Sequence, residues 1–207
     1  MTTPSFPRRP VLAGIAAFAA LIAAPALAAP AIGKPAPAFS AIDSTGKARS
    51  LSEFRGKTVV LEWTNDGCPY VQKHYKAGAM QGLQKRAAGD GVVWLSIISS
   101  ASGKQGYKTA AQANAWKTES GAAPSAILLD PKGEVGRAYG AKTTPHMYVV
   151  NPAGTLVYMG GIDDKNSADP ASLKGATNFV VAALDDLKAG RAVARPVSAP
   201  YGCSVKY

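Results

Sequence analysis

Thr58-Val59-Val60-Leu61-Glu62-Trp63-Thr64-Asn65-Asp66-Gly67-Cys68-Pro69-Tyr70-Val71-Gln72-Lys73-His74-Tyr75 is the stretch on which the reading of this chain turns. Its β-branched, apolar run Thr58–Trp63 has the composition of a buried strand. Asn65-Asp66-Gly67 breaks that run. Pro69 then suits the first turn of a helix, where a backbone N–H has no intrahelical partner to lose. Cys68 therefore falls near an N-cap, where free N–H groups and the helix dipole favour negative charge. The thiolate is the reactive form of cysteine, and such a position lowers its pKa. Strand, turn, cysteine and helix form the layout of a thiol redox site. The plainer alternative is a structural cysteine held in a disulfide.

The chain has 207 residues, with 23 Lys and Arg against 13 Asp and Glu and a formal net charge of +10. Residues 1–28 read as a signal peptide: Arg8 and Arg9 are its basic region, Val11–Ala24 its apolar stretch, and Ala26-Leu27-Ala28 a small-x-small cleavage site. Pro10 directly after Arg8-Arg9 makes a poor twin-arginine signal, so the export route stays open. The mature chain, from about Ala29, is expected in the periplasm or outside the cell. No later stretch is long and apolar enough to span a bilayer, so no stable membrane insertion is expected after cleavage. Removing the signal takes away two arginines and no acids. The remaining positive charge is dispersed, without a dense Lys/Arg run or an aromatic-interleaved basic strip, which argues against nucleic acid as a partner. The two cysteines, Cys68 and Cys203, allow one intramolecular bridge in an exported chain.

Along the chain, Ala29–Pro37 reads as an extended entry, and Phe39–Ile42 with Lys47–Leu51 as a small hairpin. After the central strand, one helix is expected from Pro69 to Ala88, closed by Gly89-Asp90-Gly91. Strands follow at Val92–Ile98 and Ala126–Asp130, with a loop over Ser99–Tyr107 and a helix over Thr109–Thr118 between them. Gly133–Tyr139 reads as a short helix. Pro145–Val150 and Thr155–Gly160 form a hairpin through Asn151-Pro152-Ala153-Gly154. Asp169-Pro170 is expected to cap a last helix, with Ala176, Val180, Leu184 and Leu187 along one face. Residues 29–190 then make one domain and residues 191–207 a Pro/Gly-bearing tail carrying Cys203. Alternating strands and helices that end in a hairpin and a helix imply an α/β fold with a mixed central sheet.

The segments Leu61–Tyr75 and Thr144-Pro145 resemble the thioredoxin fold in its peroxiredoxin-like branch (redoxin, AhpC/TSA-like). Gly67-Cys68-Pro69-Tyr70-Val71-Gln72-Lys73-His74-Tyr75 and the ending Pro200-Tyr201-Gly202-Cys203-Ser204-Val205-Lys206-Tyr207 resemble exported bacterial redoxin-domain proteins. The resemblance covers about Ile32 to Leu187 and implies a mixed central sheet flanked by helices with an N-terminal hairpin extension. It implies a nucleophilic role for Cys68 and a cis peptide bond before Pro145, set against the active cysteine. Glu62, six residues before Cys68, matches the buried acid that thioredoxins carry beneath the active site. Burial would raise its pKa and let it relay a proton to or from a thiol; the alternative is a salt-bridged or edge-exposed acid. The pattern also departs from its relatives. Val71 stands where a Cys-x-x-Cys motif has its second cysteine. Asn65 replaces the threonine three residues before a peroxidatic cysteine, where it could still donate to a thiolate. No arginine stands near Thr143–His146, and Arg137 is the nearest.

Cys203 is the candidate resolving cysteine. A flexible tail could bring it onto Cys68, or the same bond could be a permanent staple, closing a loop of about 135 residues and worth on the order of 5 kcal/mol in chain-entropy models. On a helical wheel His74 lies about 240° from Cys68 and reads as a surface or packing residue. Strand alternation turns His146 away from Pro145. Trp63 and Tyr70 read as core or groove-shaping aromatics, and Lys73 and Lys76 as solvated lysines. The leading expectation is an exported thiol–disulfide oxidoreductase: Cys68 is nucleophile, Cys203 resolves, Glu62, Pro145 and Asn65 complete the site, and no cofactor or metal is required. Its partners are protein or small-molecule thiols and disulfides, with peroxide as a further candidate, and a separate reductant. The alternatives are a thiol peroxidase using Cys68, or a disulfide-stapled binding or metal-chaperone module.

Overall fold

The structure is a computed structural model that describes residues 1–2 and 29–207. The expected signal peptide therefore lies outside the described residues, apart from its first two. Seven strands form one mixed sheet: β1 (Ser40–Asp43), β2 (Ala48–Ser50), β3 (Val59–Trp63), β4 (Val93–Ile98), β5 (Ala126–Leu129), β7 (His146–Val150) and β8 (Leu156–Gly160), in the order β2-β1-β5-β4-β3-β7-β8. β3, β4 and β5 run parallel, and β7 and β8 close one side antiparallel. The N-terminal hairpin β1–β2 extends the sheet on the other side, β1 pairing antiparallel with β5. A separate pair joins β6 (Thr143–Thr144) to β9 (Cys203–Ser204).

The central strands are buried on both faces, so their apolar residues alternate between two cores. Val59, Leu61 and Trp63 face one cluster with Leu95, Ile97, Tyr139 and Tyr148. Val60 faces the other, with Cys68, Val71, Tyr75, Trp94 and Met147. That second core is covered by α1 (Pro69–Lys76), α2 (Ala79–Gly89) and α5 (Phe179–Lys188), through residues such as Met80, Leu83, Val180 and Ala183. α3 (Ala110–Glu119) begins with a capping box at Thr109 and Gln112 and packs Ala113 against Ile98 and Ile127. α4 (Glu134–Ala138) adds Val135 to the first core.

Two expected helices are placed differently. The helix expected over Pro69–Ala88 is two helices, because Gly78 takes φ +71°, a left-handed conformation that ends α1 and caps α2. Asp169-Pro170 caps only a 3-10 turn over Pro170–Leu173, which Gly175 (φ +73°) separates from α5; α5 is capped by Asn178, whose side chain accepts from the Val181 N–H. Ala176 thus stands outside the helix it was expected to line.

The tail is docked along its length rather than loose. The Met159 N–H of edge strand β8 donates to the Pro196 carbonyl, and the Ser198 N–H donates to the Met159 carbonyl. Val193, Tyr201 and Cys203 pack on the second core, and Val205 on the first. The tail therefore covers a sheet edge that would otherwise present unpaired backbone.

Candidate active site

Cys68 is the N-cap of α1 (φ −86°, ψ 121°), with Pro69 as the first helical residue. Its carbonyl accepts from the Val71 and Gln72 N–H groups at 3.0 and 2.9 Å. The turn before it is built by Asn65, whose Oδ1 accepts from the Gly67 N–H at 2.9 Å and whose Nδ2 donates to the Gln105 carbonyl at 3.3 Å. The Asn65 amide thus braces the turn and makes no hydrogen bond to the Cys68 sulfur. The loop over Ser99–Tyr107 closes on this turn: Gln105 Nε2 donates to the Gly67 carbonyl at 3.1 Å, and a Cβ on Gly106 would lie 2.4 Å from Asn65.

The Thr144-Pro145 bond is cis. It presents the Thr144 carbonyl to Cys68, whose Sγ–H donates to it at 3.1 Å. Thr144 pairs antiparallel with Cys203, and Thr143 with Ser204. Gly202 allows that approach: at φ +115°, a Cβ would sit 2.2 Å from the Thr144 oxygen. Both cysteines are free thiols; Cys68 has no exposed surface and Cys203 is half-buried.

The two thiols are electrostatically unlike. Burial works to raise the pKa of Cys68, but hydrogen bonds from the Cys203 thiol and N–H, the Val71 N–H and the Thr144 hydroxyl outweigh it and lower the pKa. Cys203 moves the other way, pushed up to about 11 by burial and by its hydrogen bond to, and the charge of, Cys68. Of the two thiols, Cys68 is therefore the more acidic and Cys203 the one that holds its proton more tightly.

Glu62 is fully buried on β3. It accepts from Trp94 Nε1 (2.7 Å), Tyr75 OH (2.8 Å), Ser96 Oγ (2.9 Å) and Gln84 Nε2 (3.1 Å). Burial raises its pKa against those four donors. It is neither salt-bridged nor edge-exposed, and its direct contacts are to those four donors and not to the sulfur of Cys68.

Lys73 and His74 were expected at the surface or in simple packing; both are buried on α1 in a charged cluster. Lys73 Nζ and His74 Nε2 each lie 3.8 Å from Asp163 Oδ2, and Lys73 Nζ donates to the Lys165 carbonyl at 2.8 Å. Burial, with the nearby Lys73 charge and against Asp163, lowers the His74 pKa to about 4. Tyr201 of the tail completes the cluster, donating to Asp163 Oδ1 at 2.5 Å. Spacing could not find this cluster, since Asp163 and Tyr201 are remote from α1 in sequence. His146 is buried beside Tyr148 (ring centroids 4.6 Å apart), on the face opposite Cys68. Arg137 lies over the ring of Tyr207, its guanidinium carbon 4.5 Å from the centroid. Among the described residues, no group of three or more His, Cys, Asp or Glu side chains could hold a metal ion, and no helix is long and apolar enough to cross a membrane. A cleft of about 360 Å³, lined by Asp66, Val71, Gln72, Tyr75, Lys76 and Trp116 among others, opens beside α1.

Residues 32–159 match the profile of the AhpC/TSA family. Among solved structures, the chain is similar to an uncharacterised conserved protein from Geobacillus kaustophilus, at 26% identity and TM-score 0.74, over 86% of this chain and 92% of that one. It is also similar to a hypothetical protein from Sinorhizobium meliloti, at 25% identity and TM-score 0.73, over 86% and 94%. The thioredoxin domain of a thiol-disulfide oxidoreductase from Bacteroides vulgatus shares the fold at 20% identity and TM-score 0.50, over 70% and 96%. No curated protein matches the chain.

Proposed function

Because the chain belongs to the AhpC/TSA family and is a thioredoxin-like redoxin, we propose that it is an exported thiol–disulfide oxidoreductase with Cys68 as nucleophile and Cys203 as resolving cysteine. The observation that carries this reading is the pairing of Cys203 with Thr144, the residue whose carbonyl holds the Cys68 sulfur. The lowered pKa of Cys68 and the raised pKa of Cys203 support this division of roles. Cys68 attacks a substrate disulfide as thiolate, and Cys203 remains protonated until a mixed disulfide forms. A separate dithiol reductant then returns the Cys68–Cys203 disulfide to thiols. Glu62 and Pro145 belong to the frame that fixes Cys68 and the Thr144 carbonyl, and Asn65 shapes the turn. Export rests on the signal-like residues 1–28.

The test is trapping. Cys203→Ser is expected to accumulate a mixed disulfide through Cys68 with a disulfide substrate, and Cys68→Ser to trap none. Full turnover by both variants would sink the reading.

The complete burial of Cys68 favours a second reading, in which Cys68–Cys203 is a structural staple of a binding module. A bridge that resists glutathione-level reductants would select it, and one that opens at mild potentials would select the oxidoreductase. Rapid consumption of peroxide by the reduced protein would make peroxide the oxidant of Cys68. The engagement of the Asn65 amide in the turn weighs against that peroxidase reading.

A further inference from the structure

The strand that carries Cys203 is short, two residues paired with two. Such a pairing does not hold a chain end by itself. The arm is fixed instead at its two flanks. Beyond Cys203, the Tyr207 hydroxyl donates to the Ala141 carbonyl at 2.8 Å, and its ring lies against Gly136, where a Cβ would be 2.5 Å away. Before Cys203, Tyr201 is driven into the protein. Its hydroxyl donates to Asp163 Oδ1, lies 3.3 Å from Lys73 Nζ and 3.4 Å from His74 Nε2, and its ring packs 5.9 Å from that of Tyr70. Lys73 Nζ sits 5.0 Å from the centroid of the same ring. Tyr70, Lys73 and His74 all belong to α1, the helix whose N-cap is Cys68. One rigid element therefore carries the nucleophile and holds the anchor of the arm that meets it.

A buried charged cluster is a costly way to hold a loop, because each ion loses water. Among the described residues, Asp163 Oδ2 has no hydrogen-bond partner, and the cluster is not even fully satisfied. An apolar side chain at residue 201 could still pack the arm, but Asp163 Oδ1 would lose the phenol as a donor. What the hydroxyl adds is direction. Tyr201-Gly202-Cys203 is a unit in which the phenol fixes the position, the glycine permits close approach, and the thiol arrives at Thr144 in one register.

We propose that Tyr201, held by Asp163 against Lys73 and His74, is a positioning residue for the resolving step, fixing Cys203 within reach of the Cys68 sulfur. This rests on the oxidoreductase reading above. In the reaction, the Cys68 thiolate attacks a substrate disulfide and releases one substrate thiolate. Cys203 then loses its proton and attacks Cys68 Sγ. The Cys68–Cys203 bond forms, and the second substrate thiolate leaves and takes up that proton. The substrate disulfide gains two electrons and the two protein thiols lose them. Anchoring the arm raises the effective concentration of Cys203 at Cys68, which speeds the second step and makes the intramolecular disulfide more stable against external thiols.

The experiment equilibrates the full chain with reduced and oxidised glutathione and quantifies the Cys68–Cys203 disulfide, comparing wild type with Tyr201→Phe and Asp163→Asn. Tyr201→Phe keeps the ring and removes only the hydroxyl, so it carries the test if Asp163→Asn fails to fold. A tenfold fall in effective concentration is expected for Tyr201→Phe, read as a potential about 30 mV less negative. Iodoacetamide should also label Cys68 of the reduced variant several-fold faster, because the arm covers that sulfur. Val180→Ala, which thins the same core from α5 and leaves the Tyr201 hydroxyl contacts in place, should lower the melting temperature and leave the potential unchanged. A wild-type potential in Tyr201→Phe overturns the positioning role, even if labelling accelerates. A wild-type protein that forms no Cys68–Cys203 disulfide in glutathione overturns the oxidoreductase reading and the positioning role together.

Discussion

Glu62 shows how much a single buried residue can hold. One carboxylate on β3 gathers donors from α1 (Tyr75), α2 (Gln84) and β4 (Trp94, Ser96). Glu62→Ala would leave several buried donors without an acceptor, each costing about 1–3 kcal/mol. We expect a loss of at least about 3 kcal/mol in urea denaturation, with Glu62→Gln much milder. His146 makes a pH-dependent contribution of definite sign. Burial, with help from the Lys142 charge, lowers its pKa to about 4, below its ordinary value of 6.5. Below pH 6.5 the unfolded chain binds a proton that the folded protein refuses. Stability therefore falls as the pH drops from 6.5 towards 4, by up to about 1.4 kcal/mol per unit, and this group adds no slope above that window. His146→Asn keeps an acceptor for the Lys142 N–H and should reduce the denaturation-derived slope between pH 4 and 6.5, leaving the share of the same sign that His74 contributes.

Elements in this fold are set by where left-handed glycines fall as much as by apolar periodicity. The run from Pro69 to Gly89 has helical composition throughout, yet Gly78 divides it, and the local sequence does not reveal which glycine takes positive φ. Gly82, in the same run, stays within α2. At the other end, Gly202 decides whether β9 can form. Gly202→Ala would need a strained backbone and a Cβ 2.2 Å from the Thr144 oxygen. We expect the Cys203 arm to detach in this variant while the sheet stays folded. Two measurements check this: faster iodoacetamide labelling of reduced Cys68, and loss of amide protection at Cys203–Val205 with β3 and β4 unchanged.

For the whole molecule, the arm closes the structure by linking the chain end to α1, α4, β6 and the edge of β8. Oxidation should add to that closure. A Cys68–Cys203 bond constrains an unfolded loop of about 135 residues, for which chain-entropy models give at most about 5 kcal/mol. The oxidised protein is expected to exceed the reduced protein in unfolding free energy by several kcal/mol. Chemical denaturation with and without reductant measures the difference, and Cys203→Ser should abolish it.

The sequence by itself determined the sheet and the place of Cys68 at a strand-to-helix turn. The apolar runs of β3, β4 and β7 leave no other way to bury their side chains, and Asn65-Asp66-Gly67 followed by Cys68-Pro69 encodes a turn and a helix start within a few residues. These are local signals, read over one strand or one helical turn. Only the tertiary structure decided what surrounds Cys68. Lys73 and His74 look like solvated helix residues until Asp163, about ninety positions away, is brought beneath them. The tail looks flexible until Tyr201 is seen buried on α1 and Cys203 in register with Thr144. Ion pairs, buried hydrogen bonds and two-residue strand pairings depend on distances between remote segments, and no local pattern of residue types carries those distances.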